Sequence, residues 1–293
     1  MPDSSDVVER LSTWFRHRGR DLPWRTGATA WGVLVSEVML QQTPVVRVEP
    51  VWREWMRRWP QPHDLASASQ ADAVRAWGRL GYPRRAQRLY EAAHMIVSEH
   101  AGQVPSREDH LRSLPGVGEY TAAAVAAFAF GQRTVVLDVN VRRVISRIWK
   151  AEPAAPGHVT ISERAHADQI VPLGATKSVQ WNVAAMEFGA LVCTAQNPRC
   201  DECPITDVCA WRARGYPGRG QATSRPQGFE GTDRQVRGRI LAILREHTVP
   251  VQVSGRAELA DIEPGQLDRC LLSLTTDGLA HEVEVGAGMW ELS

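Results

Sequence analysis

The chain has 293 residues, of which 43% are hydrophobic, and a formal net charge of +1. This is the composition of an ordinary globular protein with one or two domains. No apolar run reaches the about 18 residues that a membrane-spanning helix needs, and the opening segment MPDSSDVVER is acidic and polar, unlike a secretory signal. We therefore expect a soluble cytoplasmic protein with no membrane partner.

Helical periodicity, punctuated by Gly and Pro, predicts that the first 210 residues are almost entirely helical. The first segment, residues 4–18, carries apolar side chains at helical spacing and ends at Gly19. Further helices are predicted at 30–41, 44–59, 64–78, 83–100, 106–112, 119–130, 139–149, 161–171 and 178–190. The predicted fold class is all-α.

The second predicted helix carries a carboxylate in an apolar setting. Glu37 lies within the nearly continuous apolar run from Val33 to Leu40. Burial disfavours the charged form of a carboxyl group, and a carboxylic acid that keeps its proton near neutral pH can donate it. An exposed stripe is equally compatible with the periodicity, since Glu37 shares its face with Gln41 as well as Leu34.

Positive charge is unevenly distributed along the chain. Residues 1–227 carry 28 basic and 22 acidic residues, a balance of +6, whereas residues 228–293 carry 6 and 11, a balance of −5. Clusters of cations can neutralise the phosphates of nucleic acid, although solvated helix faces have the same composition. The clusters comprise Arg75, Arg79, Arg84, Arg85 and Arg88, and then Arg142, Arg143, Arg147 and Lys150.

A glycine-containing turn, LPGVG at residues 114–118, joins two predicted helices. Its glycines allow a tight turn that leaves the first N–H groups of the next helix free, which is an anion-binding arrangement. A simple joint between helices is the alternative. Asp138 follows Gly118 by 20 residues and precedes a basic helix, where it can serve either as an N-cap or as a functional carboxylate.

Four cysteines lie within 17 residues, Cys193, Cys200, Cys203 and Cys209, spaced C-x6-C-x2-C-x5-C. Four thiolates suit an iron–sulfur cluster or zinc. Structural zinc sites usually combine two C-x2-C pairs, and only one such pair is present, so the spacing favours a 4Fe-4S cluster. Zinc and disulfides are the alternatives, of which disulfides are disfavoured in a reducing cytosol.

The sequence predicts a linker and a second, smaller domain after residue 211. Residues 212–231 are rich in Gly, Pro, Arg and Ser and predict a linker. Residues 232–293 predict a small winged-helix-like domain with helices at 233–246, 256–261 and 264–277 and a β-hairpin at 280–293. Because this domain is acidic, we expect it to pack against the chain or bind a protein partner rather than bind DNA strongly by itself.

The glycine turn, Asp138 and the cysteine loop together resemble the endonuclease III superfamily of DNA glycosylases over about residues 5–212. The resemblance implies a helix-hairpin-helix glycosylase domain at 1–211. Its hairpin would hold a DNA phosphate through backbone amides without reading sequence, at Leu114, Gly116, Val117 and Gly118. Endonuclease III has a lysine nucleophile just after this hairpin; Tyr120 stands there and cannot form a Schiff base. A monofunctional enzyme is therefore implied.

Three further segments, LPWR at 22–25, SEVMLQQT at 36–43 and GRLGY at 78–82, resemble the adenine DNA glycosylases. The resemblance implies that Glu37 protonates adenine, that Asp138 stabilises or captures the resulting sugar cation, and that Asn140 orients the pair. It also implies that six residues contact the substrate: Trp24, Arg25, Leu40, Gln42, Tyr82 and Tyr120. Of these, Gln42 and Tyr82 would wedge into the duplex.

The resemblance implies a monomeric, nucleoid-associated enzyme that excises adenine opposite 8-oxoguanine or guanine in double-stranded DNA. Two features depart from the family: the larger lesion-sensing C-terminal domain is not recognisable, and Val183 follows Asn182 where relatives often have Glu or Gln. The alternatives are a thymine or uracil mismatch glycosylase and a non-catalytic iron–sulfur DNA-binding protein. Glu37 and the LQQT segment favour adenine, and the presence of both carboxylates favours an enzyme.

Overall fold

The computed structural model describes residues 2–155, 157–219 and 228–293. The chain divides into two compact units. The first unit comprises Met1–Val33, Ser106–Arg112 and Val117–Ser224, and the second comprises Leu34–Pro105, Ser113–Gly116 and Arg225–Ser293. Within the predicted linker, residues 220–227 lie outside the described residues.

The described residues are mostly helical, which confirms the predicted fold class. The helices are α1 (Ser4–Arg18), α2 (Ala30–Leu40), α3 (Val45–Arg58), α4 (Pro62–Ala66), α5 (Gln70–Trp77), α6 (Arg84–Glu99), α7 (Glu108–Ser113), α8 (Glu119–Phe130), α9 (Val139–Ile145), α10 (Ile161–Ile170), α11 (Ala175–Leu191), α12 (Ala210–Ala213), α13 (Asp233–Glu246) and α14 (Pro264–Thr276). The strands are β1 (Val251–Gln252), β2 (Ala280–Glu282) and β3 (Met289–Leu292). No described helix combines the length and apolarity needed to cross a lipid bilayer.

Three predicted helices differ from the observed ones. The segment 64–78 forms two helices, because the Ser69 hydroxyl accepts a hydrogen bond from the Asp72 amide at 3.0 Å and starts α5 anew. The segment 139–149 is α-helical only to Ile145 and continues as a π-helical turn, Ser146–Lys150. The segment 256–261 forms only a 3-10 turn, Ala257–Leu259.

The core of the first unit forms where α1, α9 and α11 pack together. Leu11, Trp181 and Phe188 are fully or almost fully buried there, and Trp14 packs edge-on against Phe188 with ring centroids 5.3 Å apart. Burying each large apolar side chain contributes about 1.5–3 kcal/mol. This packing fixes α9, whose N-cap is Asp138, against α11.

Residues 232–293, for which the sequence predicts a small domain, lie in the second unit. Helices α13 and α14 pack with a three-stranded antiparallel sheet of order β1-β3-β2, in which Ala280 pairs with Leu292. The predicted terminal hairpin is therefore confirmed, and β1 completes a sheet that the sequence did not reveal. The domain also packs on α5, since Arg245 Nε donates to the Val74 carbonyl at 3.1 Å and Gln70 Nε2 donates to the Gly278 carbonyl at 2.8 Å.

Candidate functional site

Glu37 is buried, with only 4% of its surface exposed. It is the only ionisable side chain on α2, and its neighbours Ser36, Val38 and Met39 are buried as well. The alternative of an exposed glutamate on a solvated stripe is therefore wrong. Because desolvation disfavours a carboxylate, a carboxyl group at this position is suited to carry a proton and donate it.

Arg85 holds the C-terminal end of α2. Its Nη1 donates to the carbonyls of Val38 at 3.1 Å and Met39 at 3.0 Å, and also to that of Gln41. Its Nη2 donates to Thr43 Oγ1 at 2.9 Å and to the Gly81 carbonyl at 3.1 Å. The last carbonyls of a helix have no partner within the helix, and this guanidinium supplies one. The sequence grouped Arg85 with phosphate-binding cations, and that interpretation is wrong for this residue.

Gln42 and Tyr82 both have left-handed backbone conformations, with φ of 54° and 46°. Such conformations are uncommon for residues other than glycine. Arg85 binds the carbonyl preceding each of them, at Gln41 and Gly81, and so holds both turns in place. Tyr82 is 44% exposed. Both side chains line one pocket of about 310 Å³, together with Val38, Gln41, Arg84, Arg85, Arg88 and Gly116.

The hairpin depends on glycine at residue 116. Gly116 has φ of 79°, and a Cβ atom added there would lie 2.9 Å from Arg88 Cβ. Leu114 and Val117 are buried, with 2% and 7% exposure. Gly118 is the N-cap of α8 and brings no capping side chain, so the first amides of this 12-residue helix are suited to bind an anion.

Asp138 is both an N-cap and part of a polar chain. Its Oδ1 accepts a hydrogen bond from the Val141 amide at 2.6 Å, and its Oδ2 accepts one from Asn140 Nδ2 at 2.7 Å. Burial raises the pKa of Asp138 above the ordinary aspartate value, and these hydrogen bonds act in the opposite direction. The N-cap alternative is thus realised, and it leaves Asn140 in position to orient the carboxylate.

Arg143 connects this chain to the cysteine loop. Its Nη2 donates to Asn140 Oδ1 at 2.7 Å and to the Gly189 carbonyl at 2.6 Å, while its Nε donates to the Cys193 carbonyl at 2.7 Å. A continuous hydrogen-bonded path therefore runs from Asp138 through Asn140 and Arg143 to the first cysteine.

The other arginines of the second basic cluster are also internal. Arg142 forms a buried ion pair with Glu163 at 2.7 Å. Arg147 donates to the carbonyls of Thr194 at 2.7 Å and Ala195 at 2.9 Å and to Cys193 Sγ at 3.3 Å. Arg142, Arg143 and Arg147 are 9%, 7% and 2% exposed. The expectation that they bind phosphates or form a solvated face is therefore wrong.

The four predicted cysteine ligands line one pocket, and all are free thiols. The disulfide alternative therefore has no support. Burial, followed by the neighbouring thiols, raises the pKa of Cys203 to about 12, so uncompensated thiolates would be unfavourable there and cationic iron would relieve the cost. Within the described parts of the chain, no three or more His, Cys, Asp or Glu side chains converge on a single ion site. Four cysteine thiols that line one pocket fit a four-iron cluster, which they would hold through their thiolates.

Arg25, a predicted substrate contact, binds a residue that the sequence did not single out. Arg25 Nη2 donates to Glu187 Oε2 at 2.7 Å, and Arg20 Nε donates to Glu187 Oε1 at 2.7 Å. Burial raises the pKa of Glu187, but hydrogen bonds from the two arginines outweigh this effect and lower the pKa to about 2. Glu187 lies on α11 within a mainly apolar sequence. Its isolation among apolar residues is the sequence feature that could have indicated a buried carboxylate with cationic partners.

The remaining predicted contacts occupy varied positions. Trp24 is buried with 6% exposure, whereas Leu40 is half-buried. Tyr120 lies on the first turn of α8 and packs against a small buried cluster that includes Ala123, Ala124 and Val136. These three positions fit packing roles as well as substrate contact.

Comparisons with known proteins agree with these features. Residues 35–165 match the family described as HhH-GPD superfamily base excision DNA repair protein, and residues 193–209 match the iron-sulfur binding domain of endonuclease III. The chain is 48% identical to the adenine DNA glycosylase of Mycolicibacterium smegmatis, over 97% of this chain and 95% of that protein. It is 50% identical to that of Mycobacterium tuberculosis, over 92% and 88%. Among solved structures, a thermostable thymine-DNA glycosylase aligns with a TM-score of 0.65 and 26% identity, over 72% of this chain and 97% of that one.

Proposed function

Because the chain belongs to the adenine DNA glycosylase family, we propose that it excises adenine lying opposite 8-oxoguanine or guanine in duplex DNA. The chain is a base-excision-repair DNA glycosylase with a 4Fe-4S cluster. The observation that carries the mismatch assignment is the buried Glu37 within SEVMLQQT, the segment that resembles this family. The glycosylase activity is assigned to residues 1–211 and the docked accessory domain to residues 232–293.

Glu37 is the proton donor. Adenine leaves its sugar poorly until N7 is protonated, and a positioned general acid contributes typically a factor of 10² to 10⁴ in rate. The buried position of Glu37 on α2 limits the access of water to the carboxyl group. Once the proton has moved to N7, the resulting carboxylate is stabilised by the cationic base.

Asp138 acts on the sugar. Loss of the base leaves an oxocarbenium-like cation, and a carboxylate stabilises it or captures it, in the same division of labour that two carboxyl groups share in glycoside hydrolases. Asn140 holds the Oδ2 atom of Asp138 and so fixes the direction of the carboxylate. Since Tyr120 stands where a lysine nucleophile would be, no Schiff base forms and the DNA backbone stays intact.

DNA is held and opened by residues on separate elements. The hairpin residues Leu114, Gly116, Val117 and Gly118 present backbone amides to a phosphate without reading sequence. The adenine must leave the base stack to react, and Gln42 and Tyr82 fill the gap; their exposed positions on the pocket near α2 support this role. Trp24, Arg25 and Leu40 contribute to adenine binding.

The cluster stabilises the loop between α11 and α12. Cys193, Cys200, Cys203 and Cys209 would hold it, and it supplies no proton chemistry to base excision. Arg143 and Arg147 bind backbone carbonyls of this loop and so connect it to α9 and to the π-helical turn that follows α9.

The decisive experiment measures base release from duplexes carrying A:8-oxoG, A:G, A:C and T:G. We expect adenine release from the first two pairs and no thymine release. Glu37→Gln should lose adenine release, by about 10² or more, and retain binding to the A:8-oxoG duplex. Thymine release without adenine release would assign the chain to mismatch repair of thymine, and normal turnover by Glu37→Gln would remove Glu37 from the chemistry.

A further inference from the structure

One arginine of the C-terminal domain differs from the other five. Within residues 228–293 each of the others is paired: Arg237 with Asp277, Arg239 with Asp261, Arg245 with the Val74 carbonyl, Arg256 with Glu258 and Arg269 with Asp233. Arg234 has no hydrogen-bond or ion-pair partner among the residues that the structure describes. Its guanidinium lies 4.7 Å from the centroid of the Tyr82 ring and 5.8 Å from that of Phe229.

The packing of the domain on α5 and α6 fixes this position. Arg75 Nη2 donates to the His247 carbonyl at 3.2 Å, and Gln70 Nε2 donates to the Ser293 carbonyl at 3.2 Å. Arg84, which lies two residues after Tyr82, pairs with Asp277 at 3.4 Å. The C-terminal domain and Tyr82 belong to the same compact unit. Arg234 is therefore brought to Tyr82 by a docked domain rather than by a free segment.

The contact itself contributes little to stability. A cation–π pair at an exposed site contributes about 0.5–1 kcal/mol, and Arg234 and Tyr82 are both exposed. In a domain with a balance of −5, four arginines form ion pairs within the domain, a fifth binds the Val74 carbonyl of α5, and one is left with its donor groups unused beside an exposed aromatic ring. This arrangement suits a ligand that has both a flat face and hydrogen-bond acceptors.

We propose that Arg234 is a specificity-determining residue that donates hydrogen bonds to the base facing the excised adenine, while Tyr82 enters the duplex beside that base. This role rests on the proposed function. Guanine presents two acceptors, O6 and N7, to a guanidinium, whereas cytosine presents an amino donor at its major-groove edge. 8-Oxoguanine keeps the O6 acceptor and gains an oxygen acceptor at C8, but its N7 carries a hydrogen and no longer accepts, so it offers single acceptors instead of the O6/N7 pair. Arg234 thus favours guanine-type bases opposite adenine and supplies recognition from the small domain.

The test compares wild-type protein with Arg234→Ala and Arg234→Lys on A:8-oxoG, A:G and A:C duplexes at one stated salt concentration. We expect kcat/KM for Arg234→Ala to fall about tenfold on A:G, the size of one good bidentate base contact, by about threefold on A:8-oxoG, where N7 no longer accepts, and by less than about twofold on A:C. Arg234→Lys keeps the charge without the planar fork, so its discrimination should stay closer to that of Arg234→Ala.

Two controls separate recognition from other effects. Arg239→Ala removes the same charge from the same helix and should leave all three rates unchanged. Tyr82→Leu combined with Arg234→Ala should lose no more discrimination than Tyr82→Leu alone, because the ring positions the guanidinium. Thermal melting of each variant shows whether the domain stays folded.

Other results would overturn the assignment. An equal loss on all three duplexes, with the salt dependence reduced by about one phosphate contact, would make Arg234 a phosphate ligand. Unchanged rates would leave it without a role in recognition. If the wild-type protein releases no adenine from A:8-oxoG, the proposed function itself fails; if it does and Arg234→Ala matches it, only the role of Arg234 fails.

Discussion

Replacing Arg143 with glutamine separates cluster-loop stability from catalysis. The wild-type guanidinium makes three short hydrogen bonds, to Asn140 Oδ1, the Gly189 carbonyl and the Cys193 carbonyl, at 2.6–2.7 Å. Hydrogen bonds to a charged group contribute about 1.5–3 kcal/mol each. A glutamine amide can restore one of them, so the net loss is about 3–6 kcal/mol, a large share of the about 5–15 kcal/mol that stabilises a typical domain.

The catalytic consequence follows from Asn140. Without Arg143, the Asn140 amide oxygen loses its donor and the Asn140 side chain can rotate, so that Asp138 is oriented only by its hydrogen bond from the Val141 amide. Single-turnover adenine release, normalised to the iron content of the folded protein, should fall by about tenfold or more, since misplacing a catalytic group by about 1 Å costs up to about 10². Chemical denaturation measures the stability change in parallel.

Arg142→Gln is the matched control, because it removes a neighbouring buried arginine that pairs with Glu163 and donates to the carbonyls of Gly157 and His158. It should lose comparable stability and keep its activity per folded, iron-loaded molecule. If Arg143→Gln also keeps full activity per iron-loaded molecule, then Arg143 does not orient Asp138 through Asn140, contrary to this prediction.

Two further expectations follow from the buried polar groups of the first unit. Cys203→Ser removes one of four thiolates from the pocket and should give colourless, unstable protein; brown protein with full iron content would contradict the ligand assignment. Arg20 and Arg25 lower the pKa of Glu187 from 4.5 to about 2. At pH values above the pKa of the unfolded state, this shift adds about 3 kcal/mol to the free energy of unfolding. That contribution is lost as the pH falls from about 5 towards 2. Acid unfolding of Glu187→Gln should lack this part of the pH dependence, and identical pH profiles would show that the arginine contacts do not persist in solution.

The sequence predicted what is local and missed what is long-range. Helices at 4–18 and 233–246 were predicted with their observed ends because apolar spacing and terminal signals agree there. The carboxylates and cysteines were predicted because their motifs are short and dense. The π-helical turn after Ile145 has no such signal, and the 3-10 turn at Ala257–Leu259 lies in a segment with too little apolar surface to support a longer helix.

Arginine roles could not be predicted from the chain alone. Arg143 and Cys193 are 50 residues apart, and Arg85 and Val38 are 47 apart. A sequence of closely spaced arginines has the same composition whether they face phosphates or backbone carbonyls, and only the fold decides between the two. The cluster at 75–88 is divided in this way, since the side chains of Arg84 and Arg88 are exposed whereas Arg85 binds backbone carbonyls.

These internal arginines give the two carboxylates that we propose as catalytic a common means of support. Arg85 binds the last carbonyls of the helix that carries Glu37, and Arg143 binds the amide that holds Asp138. In each case one planar cation binds several acceptors that point in different directions, which a lysine ammonium cannot reproduce with the same geometry. Substituting lysine at either position keeps the charge and loses the fork, so charge alone cannot restore the geometry of the helix end or of the Asn140–Asp138 pair. The precision of both carboxylates therefore depends on guanidinium geometry contributed from distant parts of the sequence.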